Sequence, residues 1–112
     1  MGVRRFSIDD AKDQITEAYA PVVLAGVDEF VIRAVKFRGE FERWHVHEHE
    51  DEAFVVIEGE ITFQTADGDH ILKPGEGIVI PKGVKHCPKA SEAGPMSLAL
   101  VIERAETKRL GD

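Results

Sequence analysis

Residues 39–59 read GEFERWHVHEHEDEAFVVIEG, and the phase of His45, His47 and Glu52 within them decides how the chain folds. In an extended strand successive side chains alternate faces, so His45 and His47 converge on one side, whereas a helix would splay them. The neighbours Phe41, Trp44, Val46, Phe54, Val55, Val56 and Ile57 are aromatic or β-branched, which favours strands over a helix carrying His45 and His49 one turn apart. A short acidic loop then leads into a second strand that begins at Glu52, so the chain can double back and set a carboxylate beside the two imidazoles. That mixture of nitrogen and oxygen donors suits a borderline or hard divalent ion. Taken alone, a His-x-His is more often a surface pair than a ligand pair.

From Gly75 to His86 the chain reads GEGIVIPKGVKH, a short apolar strand, a Pro81-Lys82-Gly83 turn, and a histidine where the next strand begins. Here the sequence resembles a known family. The first stretch fits Gly, five residues, His, one residue, His, four residues, Glu, six residues, Gly; the second fits Gly, five residues, Pro, one residue, Gly, two residues, His. These are the two motifs of the cupin family, in order and with a short spacer. The family's second motif usually ends in Asn four residues beyond its His, where this chain has Ala90; that Asn is not a metal ligand in the family. The resemblance implies an all-β fold, a double-stranded β-helix or jelly-roll barrel, with one divalent metal ion per subunit held by His45, His47, Glu52 and His86.

Three neutral imidazoles and one carboxylate would leave a divalent ion with a net charge near +1 and, in octahedral geometry, two open positions. Iron or manganese would suit oxygen or enediol chemistry, nickel is an alternative, and zinc would serve as a Lewis acid. The resemblance implies either a metal-dependent enzyme acting on a small molecule or a non-catalytic module that binds a metal or small ligand. Among enzymes, dioxygenase-type chemistry ranks slightly ahead of sugar-phosphate isomerase-type chemistry, because the acidic loop Glu48, Glu50, Asp51 is expected to disfavour an anion at the pocket mouth. The predicted lining, Phe41, Arg43, Phe54 and Val56, is largely apolar with one cation. Arg43 is a candidate anchor for a substrate carboxylate, with a salt bridge to a neighbouring acid as the competing role. His49 falls in the acidic loop, outside the motif, and reads as exposed. Cys87 adjoins His86 and on a strand faces away from the pocket, as a small packed side chain rather than a nucleophile. No His-Glu-x-x-His and no phosphate loop is present.

The 112 residues suit one domain, with a barrel over about 22–103, an N-terminal arm 1–21 and a charged C-terminal tail 104–112 that covers a surface or frays. The 21 acidic and 14 basic residues give a formal charge of -7, which argues against a nucleic-acid partner. A single cysteine allows no internal disulfide and suggests a reducing, cytoplasmic setting. No apolar run approaches the ~18 residues of a membrane span, and the start, MGVRRFSIDD, lacks the apolar segment of a secretory signal.

Ser7 before Ile8-Asp9-Asp10 predicts a capped helix over 8–14. Strands are predicted at 22–27, 30–38, 41–47, 52–58, 61–65, 70–73, 77–80, 86–90 and 96–103, with Asp67-Gly68 as a hairpin turn. Alternation sends Trp44, Val46, Val55 and Ile57 to the face opposite the pocket, an apolar patch that predicts a homodimer. The competing arrangement has the segment Ile8 to Val27 folding over that face within one chain. Small members of the family commonly pair, often by lending an N-terminal strand to the neighbour's sheet, which would also cap an open edge.

Overall fold

The computed structural model describes residues 2–112. One helix, α1 (Ile8–Gln14), precedes nine strands: β1 (Val22–Val27), β2 (Phe30–Phe37), β3 (Gly39–Glu40), β4 (Glu52–Glu58), β5 (Ile61–Thr65), β6 (Gly68–Leu72), β7 (Gly77–Ile80), β8 (His86–Ala90) and β9 (Ser97–Arg104). Ser7 caps α1 by accepting from the Asp10 N–H at 3.2 Å, and Asp9 and Asp10 sit in the first turn, where the helix dipole favours negative charge. The strands form two antiparallel sheets, ordered β1-β2-β9-β4-β7 and β3-β8-β5-β6. This is the expected all-β architecture. No helix among the described residues is long and apolar enough to cross a membrane.

The core lies between the sheets. Alternation along β9 points Ala99, Val101 and Glu103 inward, where Ala99 pairs with Val35 and Val56 and Val101 with Arg33 and Phe54. Val35, Phe37, Phe54, Val56, Ile61, Phe63 and Ile80 complete the interior. Phe54 and Phe63 lie 4.7 Å apart at the ring centroids, and Phe37 meets both edge-on at 6.3 Å, the arrangements that aromatic quadrupoles favour.

A second apolar cluster lies outside the five-stranded sheet. There Ala11 and Ile15 pack against Ala34 and Leu98, flanked by Val22, Leu24, Ile57 and Leu100, and Lys12 pairs with Glu58 at 2.8 Å. The N-terminal segment therefore covers Ile57 within one chain, and β1 pairs with β2 of its own subunit. The patch predicted from Trp44, Val46, Val55 and Ile57 does not exist as one surface.

Its other half fails because 41–47 is not a regular strand. The ladder between β3 and β8 matches Gly39 with Ala90 and Glu40 with Lys89, and the Phe41 N–H donates to the Pro88 carbonyl at 2.9 Å. Pairing resumes only as an isolated bridge between His45 and His86. Glu42, Arg43 and Trp44 thus loop out opposite the single residue Cys87. Pro88 has no N–H with which to continue the ladder. The backbone regains extended geometry at His45, so His45 and His47 are both buried as the alternation requires, while Arg43 is carried out to solvent.

Gly59 sits between β4 and β5 at φ +75, and a Cβ there would press on Ser97, with Ser97 Cβ 2.9 Å away. The left-handed backbone penalty alone is about 1–2 kcal/mol, so Gly59→Ala is expected to lower the melting temperature by roughly 5–10 °C. An unchanged melting curve measured by circular dichroism would contradict the packing described.

Candidate metal centre

Glu52 opens β4 and His86 opens β8, strands of opposite sheets, while His45 and His47 lie on the irregular segment that closes the barrel end. The backbone joins these pieces directly. His45 and His86 exchange both N–H to carbonyl bonds at 2.9 Å, and the Gly83 N–H, from the Pro-Lys-Gly turn, donates to the His47 carbonyl at 2.9 Å. One ligand-type atom from each of His45, His47, Glu52 and His86 lies within 4.8 Å of the others, and all four side chains are buried. Glu52 Oε1 is 3.3 Å from His86 Nε2 and 3.5 Å from His47 Nε2.

Two of the rings are oriented by main-chain carbonyls. His86 Nδ1 lies 2.9 Å from the Val84 carbonyl and His45 Nδ1 lies 3.2 Å from that of Arg43. A proton on each Nδ1 satisfies these contacts and turns the Nε2 lone pair toward the centre. His47 Nε2, His86 Nε2 and Glu52 Oε1 are buried without a hydrogen-bond partner. Buried polar atoms normally have partners, and orphaned donors converging on one point are what a divalent cation would satisfy. The residues present therefore fit a metal with nitrogen and oxygen ligands.

The titration behaviour of the group follows from its packing. Burial, with His86 beside it, lowers the His45 pKa to about 4. Burial acts the same way on His47 but is outweighed by the adjacent Glu52 carboxylate, with Glu50 and Asp112 adding to it, so His47 is raised above the ordinary histidine value. Burial opposes the charge on Glu52, yet the close approach of His47, His86 and Glu103 holds its carboxyl well below the usual range.

Glu103 is a site residue that sequence reasoning missed. It is buried on β9, and burial together with the neighbouring Glu52 carboxylate raises its pKa to about 9, although Arg33, whose Nη1 lies 2.5 Å from Glu103 Oε1, pulls the other way. The signal was available: Glu103 keeps the inward phase of Ala99 and Val101. Arg33 likewise keeps the phase of Val31, Val35 and Phe37 on β2.

A cavity of about 220 Å³ opens beside the group, walled by Tyr19, Phe37, Phe41, Phe54, Val35 and Val101 with His45, Glu52 and His86 at its base. Arg33, Glu103, Thr107 and Arg109 add the polar part of the wall. Phe41 and Phe54 thus line it as predicted, while Val56 is wholly in the core. Arg43 does not line it and makes no salt bridge among the described residues; its carbonyl, not its guanidinium, faces the site. Neither Glu48, Glu50 nor Asp51 borders the cavity. Asp51 instead accepts from the Lys82 N–H at 2.9 Å. The expected acidic mouth is absent. His49 is exposed, and Cys87 is a buried free thiol whose Sγ lies 3.5 Å from the Phe41 carbonyl.

Tyr19 was also missed. It has φ 61, uncommon for a residue with a Cβ. Its N–H donates to Lys36 at 2.8 Å, its hydroxyl donates to the Gly39 carbonyl at 2.6 Å, and its ring meets Phe37 and Phe41 edge-on.

In the metal-free protein the His45 ring should remain neutral down to a midpoint near pH 4. Because its folded pKa lies below the ordinary value of ~6.5, His45 contributes stability that is complete above that value and is lost as pH falls from there through 4. Imidazole proton shifts measured across the acid range check this, and a His45 midpoint at 6 or above would contradict the burial argument.

Residues 36–103 match the family model of the cupin domain. Over 96 residues the chain is 31% identical to the uncharacterized protein YdbB of Bacillus subtilis (strain 168), spanning 85% of this chain and 83% of that protein. Among solved structures it is similar to a cupin-2 domain containing protein from Shewanella frigidimarina NCIMB 400, with a TM-score of 0.81 and 34% identity, covering 88% of this chain and 92% of that one. It is similar also to protein NMB1881 from Neisseria meningitidis, with a TM-score of 0.79 and 25% identity, covering 91% and 100%. Sheet order, motif spacing and these likenesses agree, and the chain belongs to the cupin family.

Proposed function

We propose that this protein is a metal-dependent enzyme, holding one divalent ion per subunit through His45, His47, His86 and Glu52 and acting on a small, largely apolar molecule in the adjoining cavity. The observation that carries this reading is the set of orphaned, buried nitrogen and oxygen atoms facing one point at the base of an aromatic cavity. Iron or manganese in that position would supply the one-electron chemistry that oxygen activation requires, and nickel or zinc would supply Lewis acidity.

The chain's own residues divide the remaining work. The carbonyls of Arg43 and Val84 hold two imidazoles in the ligating tautomer. The rings of Phe37, Phe41 and Phe54 exclude water and accept an apolar substrate body. Glu103 lies against Glu52, with burial and that neighbour pushing its carboxyl toward the protonated form, and is itself held by Arg33. Oxygen-dependent chemistry stands ahead of sugar-phosphate isomerisation because a polyol would leave hydroxyls unpaired against these walls, at about 1–3 kcal/mol for each buried unsatisfied group.

Elemental analysis of untagged protein is expected to return about one divalent ion per chain. His47→Ala with His86→Ala should abolish it, and His49→Ala should leave it unchanged. Chelation should lower the melting temperature, since an ion a hundredfold above its Kd stabilises by about 2.7 kcal/mol. Oxygen uptake against a panel of small molecules then tests the reaction class. Full metal content in the double variant would remove the site, and stoichiometric metal without turnover under any metal would favour a binding module.

We infer also that two copies pair through the outer face of the five-stranded sheet. Ala25, Ile32, Ile102, Ala53 and Val79 form one cross-strand row over all five strands, with Val79 63% and Ile102 38% exposed. Helix α1 does not cover this row, and monomers seldom leave such a patch bare. Light scattering at micromolar concentration should give twice the 12.4 kDa chain mass, and Ile102→Glu should shift it toward one chain with metal content intact. A wild-type mass of one chain would refute the pairing.

A further inference from the structure

The proposed function leaves the two arginines of the cavity wall without a role toward substrate. Arg33 is committed: its Nη1 lies 2.5 Å from Glu103 Oε1 and its Nη2 donates to the Ala105 carbonyl at 3.2 Å. Drawing it toward a ligand would strand a buried carboxyl. Arg109 is in a different situation. Its Nη2 lies 2.8 Å from Glu42 Oε1, with the two side chains 42% and 54% exposed, and an exposed pair of this kind contributes little. The guanidinium carbon stands 5.4 Å from the Phe41 ring centroid, a contact that orients the group while leaving N–H donors to spare.

The placement of Arg109 over the cavity is built into the backbone. Gly111, at φ +83, packs so closely on the first motif that a Cβ would lie 2.6 Å from the Val46 carbonyl and 2.9 Å from His45 Cβ. The Asp112 N–H donates to that same carbonyl at 2.9 Å, and Asp112 Oδ2 accepts from the Glu48 N–H at 2.7 Å. The turn carrying Arg109 is thus seated on the segment that carries His45 and His47. Thr107, in the same wall, has a buried hydroxyl oxygen with no partner. A guanidinium with an exchangeable partner and an orphaned hydroxyl, two residues apart on one wall, form a receptor for a small planar anion.

We propose that the cavity selects small monocarboxylates with an apolar body, the carboxylate bound by Arg109 and Thr107 and the body packed on Phe41, Phe37 and Phe54 against the His45 and His86 end. This names the substrate class of the site described above and rests on that reading for the metal's role. The scale is set by Phe41, whose ring centroid is 5.0 Å from that of His45 and 5.4 Å from the Arg109 guanidinium carbon. A molecule that reaches both ends is about one ring long. A phosphate ester fits less well, because a single guanidinium, already shared with Glu42 and the Tyr19 carbonyl, would meet two charges and the aromatic walls offer a sugar no hydrogen bonds. Of the acids near the cavity, Glu52 lies at its base among the three histidines, Glu103 is engaged by Arg33, and Glu42 is the exposed partner that a carboxylate would replace on Arg109, while Glu48, Glu50 and Asp51 lie outside the wall.

The test uses zinc-loaded protein titrated with benzoate and with its neutral isostere benzamide, followed by calorimetry. Wild-type protein should bind benzoate at least about tenfold more tightly than benzamide, the size of one charge-assisted hydrogen-bonded contact. Arg109→Gln should remove that preference while benzamide affinity and zinc content stay the same, and Arg109→Lys should restore part of it. Gly111→Val, which unseats the turn without removing the charge, should also erase the preference. Equal binding of the two probes by wild type would overturn the proposal. So would a preference that survives in Arg109→Gln, since the carboxylate would then sit on the metal or on Arg33. Repeating the titration on metal-stripped protein separates the readings: an Arg109-dependent preference there supports the carboxylate site even if no turnover is ever found, and its loss overturns the site while leaving metal stoichiometry and oxygen uptake to be judged on their own.

Discussion

Three imidazoles and two carboxyls lie between two sheets whose other inward side chains are almost entirely hydrocarbon, and their neighbours are arranged around that burden. Desolvation penalises every charged form. The chain meets this in layers. Main-chain carbonyls take the Nδ1 side of His45 and His86, Glu52 lies against His47 and His86, Glu103 backs Glu52, and Arg33 backs Glu103. These layers leave both ring nitrogens of His47, His86 Nε2, Glu52 Oε1 and Glu103 Oε2 without a hydrogen-bond partner. The cluster is therefore left with several lone pairs facing one point, and a single cation would satisfy them together where hydrogen-bond donors would have to be supplied one by one.

Much of this was readable from local pattern because the determinants are local. Ser7 and its acids bound α1, and Gly, Pro and Asp-Gly punctuation bounds β1, β4, β5, β7 and β8, where turn geometry is dictated by the turn residue itself. The two-residue spacing of His45 and His47 holds even though the strand around it does not. The irregularity at Glu42 to Trp44 depends on Pro88, a residue of the partner strand far away in sequence, so no window around the motif could show it. Arg43 was misplaced for that reason. Glu103 closes the predicted strand 96–103 next to the charged tail, and only its phase, shared with Ala99 and Val101, marks it as an inward side chain. Arg109 and Tyr19 enter the wall only through tertiary contacts of the two terminal segments.

The acidic loop misled in a similar way. The loop Glu48, Glu50, Asp51 inside the first motif suggested a pocket mouth that disfavours anions. Yet charge acts over roughly a Debye length, about 8–10 Å, and through the dielectric between the groups. Asp51 is turned toward the Lys82 amide, the Glu48 amide is tied to Asp112, and both carboxylates are exposed to solvent that screens them. The wall itself carries Arg33 and Arg109 beside Glu52 and Glu103, so its charges are mixed.

The terminal segments also make the cavity and the ligand cluster one mechanical unit. Tyr19 is held at φ 61 by bonds to Lys36 and Gly39, and such backbone costs of order 1–3 kcal/mol. Its ring stacks edge-on to Phe41, which in turn lies 5.0 Å from His45 and beneath Arg109. Gly111 rests on Val46 and His45 from the other side. The mouth of the cavity and the first-motif histidines thus share neighbours on both flanks. A ligand that displaces Phe41 or the C-terminal turn must also press on the segment that orients two imidazoles, so occupancy of the cavity and geometry of the cluster are coupled through direct contact rather than through the sheets.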